Sequence, residues 1–150
     1  MKPYRFKLQT VLDYRAEQLN QIQQKLAIEE QKRLKILQRI AEYDAFIAQA
    51  FRDQQQALTE AVLDTPRVQD FPHFLWRFKQ NRFQEHQALQ AQEQIILQIR
   101  DELKQALIKQ KSLEVLKDKD QTRYRQKIEK TEQEFLEELT LNRMNRQGTA

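Results

Sequence analysis

Leu63-Asp64-Thr65-Pro66-Arg67-Val68-Gln69-Asp70-Phe71-Pro72 holds two of the chain's three prolines, and the third is Pro3. The single glycine among 150 residues is Gly148. Proline and glycine interrupt helices, the first by removing an N–H and fixing φ, the second by its backbone freedom. Residues 4–62 and 73–147 contain neither, so this one break separates two long stretches open to continuous helix. Thr65 precedes a proline and is biased away from the α region. Asp70 has the chemistry of an N-cap, with Pro72 in the first turn that follows. The reading is a helix over about 8–62, a loop over about 63–71, and a helix over about 72–145 with a frayed tail. So short a connection makes long helices antiparallel neighbours. The predicted fold is all-α, an elongated antiparallel two-helix coiled-coil hairpin forming a single domain.

Working outward from the break, the apolar residues keep coiled-coil time. Alternating steps of four and three from Leu8 give Leu12, Arg15, Leu19, Ile22, Leu26, Glu29, Arg33, Ile36, Ile40, Tyr43, Ile47 and Ala50. Arg15, Glu29 and Arg33 are polar members that weaken the seam and fix its register. In the second stretch the stripe runs Leu89, Gln92, Ile96, Ile99, Leu103, Ala106, Gln110, Leu113 and Leu116. Beyond Leu116 the apolar steps lengthen to four, through Tyr124 and Ile128 and then Phe135 and Leu139, which predicts a stutter. The second helix is the longer, so one end is expected to project unpaired. The N-terminal tip and the C-terminal half of the second helix should meet at the end away from the loop. Leu26 and Ile99 are predicted to lie buried between the helices.

Composition narrows the function classes. The chain is 39% hydrophobic and 32% charged, so two helices bury a seam without an enclosed core. Without cysteine there is no disulfide framework and no thiolate metal site, which suits a reducing cytoplasm. Twenty-six basic against 22 acidic residues is too balanced to argue for nucleic acid. The longest apolar run, Ile95-Ile96-Leu97, is far short of a membrane span, so no stable insertion is expected. The first residues lack the apolar core of a signal peptide.

No catalytic constellation appears: there is no glycine-rich phosphate loop, no HExxH and no cysteine nucleophile. The reading is a non-enzyme without cofactor. His73 and His86 do not make a supported metal pair, and Glu132, Glu134, Glu137 and Glu138 read as a solvated helix face. The strongest local signal is aromatic. Phe71, Phe74 and Phe78 are spaced to share a face, while Trp76 and Phe83 point elsewhere. They form either a plug with Tyr43, Phe46, Ile47 and Phe51 or an exposed patch for a protein partner. The candidate patch comprises Tyr43, Phe46, Phe74, Trp76, Phe78 and Phe83.

Tyr4-Arg5-Phe6-Lys7-Leu8-Gln9-Thr10-Val11-Leu12-Asp13-Tyr14-Arg15 resembles the N-terminal signature of the FliJ family of flagellar type III export proteins. Lys111-Ser112-Leu113-Glu114-Val115-Leu116-Lys117-Asp118-Lys119 is similar to that family's second motif. Glu134-Phe135-Leu136-Glu137-Glu138-Leu139, followed by Asn142-Arg143, is similar to its C-terminal end. The resemblance implies a two-helix coiled coil like the rotor stalk of rotary ATPases, with the YscO-type injectisome proteins as sister family. It further implies insertion into the hexameric export ATPase and contacts with the export gate membrane protein and substrate chaperones. It places the protein in the cytoplasm, with peripheral association at the inner face of the inner membrane. Carried over on the end motifs, the ring-facing residues are Phe6, Leu8, Val11, Leu12, Arg15, Leu113, Leu116, Glu138 and Arg143. The alternative is a structural coiled-coil scaffold or adaptor unrelated to secretion.

Overall fold

A computed structural model describes residues 2–59 and 65–148. Among these the chain is all-α, with no strand: α1 spans Gln9–Thr59 and α2 spans Thr65–Gly148, and the two pack on each other as an antiparallel hairpin. Helix formers fill both elements. The start of α1 is set by a turn in which the Gln9 N–H donates to the Phe6 carbonyl, 3.1 Å.

The second helix starts earlier than the sequence suggests. Residues 65–71, assigned above to the loop, are helical, and Asp70 is inside α2 rather than at its N-cap. Pro66 sits in the first turn, where its missing N–H forfeits nothing. Pro72 lies farther in, where one i→i−4 bond is lost. Seam contacts flanking it, described below, offset that loss. At the other end α2 continues past the predicted boundary at 145 to Gly148, with Arg146 in its last turn, the sign the helix dipole favours. The predicted end of the first helix at 62 and loop residues 63 and 64 lie outside the described residues, as do residues 149 and 150 of the predicted frayed tail.

The chain divides into two compact units, one of Gln21–Leu103 and one of Met1–Asn20 with Lys104–Ala150. In the first, the predicted stripe of α1 from Ile22 to Ala50 is buried or half-buried at every step. Ile36, Ile40, Ile47 and Ala57 of α1 and Ile96 and Ile99 of α2 form its buried core. Ile99 is only 2% exposed, whereas Leu26, predicted to be equally buried, is half-buried. A two-helix seam closes over a side chain only where both helices present bulk around it.

The α2 stripe begins earlier than Leu89. Phe71, Leu75, Phe78, Arg82 and Glu85 precede it in unbroken four-three alternation, and all five are half-buried. The charged members are paired across the seam: Arg82 donates to Asp44, 3.0 Å, and Arg39 donates to Glu85, 3.2 Å. Arg33 lies 3.6 Å from Glu93. Such partly solvated pairs contribute at most about 1 kcal/mol each and serve chiefly to set register.

The polar step Glu29 is handled by hydrogen bonding. Gln92 is buried, and its amide donates to the Glu29 carboxylate at 2.5 Å and to the Glu29 backbone carbonyl at 3.0 Å. Lys32 donates to the same carboxylate, 3.1 Å. The Gln92 bond, and after it the Lys32 bond, holds the Glu29 carboxyl below its ordinary 4.5. Its folded pKa is depressed, so its stabilisation is complete at neutral pH. It is lost as pH falls below 4.5 and through the lower folded value. Glu29→Gln is therefore expected to lose less thermal stability than the parent between about pH 5 and pH 3. Identical acid sensitivity in calorimetry would show that this bond carries none of it.

Candidate functional site at the chain's N-terminal clasp

In the unit of Met1–Asn20 and Lys104–Ala150, residues 2–8 are not helical and lie against α2. The Tyr4 hydroxyl donates to Asp120 Oδ2, 2.9 Å, and the Tyr124 hydroxyl donates to the Lys2 carbonyl. The two rings pack tilted, centroids 5.3 Å apart. Lys117 donates to the Gln9 side chain at 2.7 Å. Burial raises the Tyr4 phenol above its ordinary 10.0, and the bond to Asp120 acts in the same direction. Tyr4 therefore stays protonated and keeps its donor role throughout the physiological range.

The predicted stutter lies at the far end of this clasp, where half-buried Asp120, Tyr124 and Ile128 follow in consecutive steps of four. From Leu113 the half-buried positions continue Lys117, Asp120 and Tyr124 in steps of four, three and four. Leu116 is off that line and 46% exposed. The alternation was hidden because two of its members are polar, matched to Gln9 and Tyr4 rather than to apolar partners.

Two surfaces flank the clasp. A cleft of about 350 Å³ is lined by Phe6, Leu8 and Leu116, with Lys119 and Arg123 on its rim. A wider groove of about 760 Å³ gathers Lys2, Arg5, Lys7, Arg123 and Lys127 against the one carboxylate of Asp120. The pairing of an apolar slot with an excess of fixed cations suits a protein partner that offers an apolar knob and carboxylates. Sequence reasoning found Phe6, Leu8 and Leu116 but missed the tyrosines and cations, because their meeting depends on register across 116 positions.

The other predicted ring-facing residues divide. Val11 is exposed, Leu12 and Leu113 are half-buried, and half-buried Arg15 donates to Gln18, 3.2 Å. Glu138 and Arg143 are exposed but belong elsewhere: they lie roughly 33 and 40 Å beyond Leu116 along α2. The structure therefore does not gather all nine residues at one place.

In the unit of Gln21–Leu103 the aromatics sort into two groups. Phe78 stacks on Phe46 at 5.9 Å, Phe51 meets Phe71 edge-on at 5.6 Å, and Tyr43 meets Phe46 at 6.5 Å. Phe74, Trp76 and Phe83 have no ring contact with α1 and are about half exposed or more, although Phe46 at 52% and Phe51 at 48% are about as open to solvent as Phe74 at 49%. Phe74 thus leaves the face expected to include Phe71 and Phe78, and Leu75 takes the seam position. No group of three or more histidine, cysteine or acidic residues among the described residues is placed to hold a metal ion. No described helix is long and apolar enough to cross a membrane.

No curated protein and no solved structure matches the chain. The family model described as Flagellar FliJ protein matches residues 4–149. That match takes in the clasp, both helices and the exposed C-terminal segment. The chain belongs to the flagellar FliJ family and, with it, to the components of the flagellar export apparatus.

Proposed function

We propose that the protein is a non-enzymatic stalk of the export machinery that binds the hexameric export ATPase through the clasp and stimulates it. The observation that carries this reading is the meeting of the N-terminal signature with α2 around Leu116 to Lys127, where apolar and cationic surfaces lie side by side. A stalk held in a ring needs apolar grip together with charges that orient without locking. Phe6, Leu8 and Leu116 supply the grip; Lys119, Arg123 and Lys127 supply the charge. The outward Trp76 and Phe83, seven residues apart on one face of α2, form a second contact, for the export gate or a substrate chaperone, since large exposed aromatics are the usual anchors of protein interfaces. Such contacts would hold a cytoplasmic protein at the membrane surface without inserting it.

Two titrations test the reading. The full chain added to the cognate ATPase is expected to raise turnover, and no binding and no stimulation would sink the stalk role. The sole tryptophan, Trp76, is 60% exposed, so docking of the gate's cytoplasmic domain is expected to blue-shift its emission. An unchanged spectrum at saturating binding would place the gate contact elsewhere.

A further inference from the structure

From Glu129 to Gly148 every residue of α2 is exposed. Phe135, Leu136 and Leu139 are among them, 60%, 61% and 49% exposed. They are not scattered. Glu132, Phe135, Leu139 and Asn142 follow in steps of three and four, a heptad stripe that no described helix covers. Beside it lies an open depression of about 480 Å³ lined by Leu136, Leu139, Thr140, Asn142, Arg143 and Arg146. Four of these, Leu136, Leu139, Thr140 and Arg143, stand at i, i+3, i+4 and i+7. That is the four-residue hole into which a facing helix inserts a knob.

The charges say which helix fits. Along this face the carboxylates Glu129 and Glu132 come first and the guanidinium of Arg143 comes last. A parallel copy would set like against like. An antiparallel copy sets Glu132 opposite the other's Arg143, and the same again at the symmetric position. That register also centres Phe135 of each copy over the hole at Leu139 and Thr140 of the other. One two-fold arrangement thus satisfies the knobs and the charges together, as an isologous interface must.

We propose that the C-terminal segment of α2 pairs antiparallel with the same segment of a second copy, Phe135 of each filling the Leu136, Leu139, Thr140 and Arg143 hole of the other. The segment is roughly 30 Å long. Its paired faces bury less than the ~800 Å² per partner of a standard interface, so the association is of the weak, concentration-dependent kind. Pairing covers Arg143, a residue assigned above to the ring-facing set. The pairing leaves the clasp residues uncovered, so it does not compete with the proposed ring contact there. The pairing itself does not depend on the ring reading and is measured without any ATPase.

Sedimentation equilibrium of the full chain is the test. The average mass is expected to climb from 18.2 kDa toward the dimer as concentration rises. Phe135→Ala should weaken association at least tenfold without loss of helicity, since the ring is solvent-exposed. Glu132→Arg should weaken it too, and adding Arg143→Glu to the same chain should restore it. The chain has no native cysteine, so a Glu132→Cys chain mixed with an Arg143→Cys chain should form a disulfide between the two. Monomeric mass at every concentration overturns the proposal, as does a dimer indifferent to Phe135→Ala or a preference for like-to-like cross-links. A monomer whose stimulation of the ATPase depends on Phe135 assigns this face to the ring instead and equally overturns it.

Discussion

Deletion of residues 1–9 is expected to leave both helices formed while weakening the proposed binding to the export ATPase about thirtyfold, equivalent to about 2 kcal/mol. The expected split follows from where α1 begins. Only Gln9 of the helix is removed, and the seam from Leu12 onward is untouched. What disappears is the clasp: the Tyr4 bond to Asp120, the Tyr124 bond to the Lys2 carbonyl, and Phe6 and Leu8 from the apolar cleft. Lys2, Arg5 and Lys7 leave with them, so the groove keeps only Arg123 and Lys127 of its cations. Circular dichroism should be nearly unchanged and ATPase stimulation largely gone. A deletion variant as active as the full chain would show that the clasp is not the ring contact. A full chain inert toward its own ATPase would instead favour the scaffold alternative.

Ile99→Ala should be the most destabilising single truncation in the seam, by about 2–4 kcal/mol. Ile99 is the most completely enclosed large side chain, and a thin two-helix seam offers few neighbours that could relax into the gap. Leu26→Ala removes comparable bulk from a half-solvated position and is expected to cost about 1 kcal/mol. Urea titrations followed by circular dichroism compare the two. Equal losses would mean that burial along this seam is not graded as described.

The seam was largely legible because four-three alternation survives occasional polar members. Ile36, Ile40, Ile47, Ile96 and Ile99 fell where the stepping put them. It failed in two places for one reason. At Arg82 and Glu85, and again at Lys117 and Asp120, seam positions hold charged side chains whose partners lie on α1 or, for Asp120, on the N-terminal segment that precedes it. An apolar count passes over such residues, because their fitness for the seam depends on a register no local window contains. The proline-bearing break was over-read for a related reason. Local preference against helix at Pro66 and Pro72 was overridden by the seam contacts of Phe71, Leu75 and Phe78. The candidate site was legible only in half: Phe6 and Leu8 stand in a recognisable motif, while Tyr124, Arg123 and Lys127 become part of it only by folding.

The clasp also has a place in time. Tyr4 is translated before its acceptor Asp120, which follows 116 positions later. At roughly 5–20 residues per second the N-terminal segment waits about 6–23 s for its counterpart to be synthesised. Contacts so distant in sequence also close late in folding, after the nearer ones have removed most of the chain's freedom. A nascent or C-terminally shortened chain can therefore form much of the helical pair while its N-terminal segment has nothing to fasten to. The surface proposed to meet the ATPase thus forms only once Asp120 to Lys127 have been made, and a chain that stops short of them cannot present it to the ring.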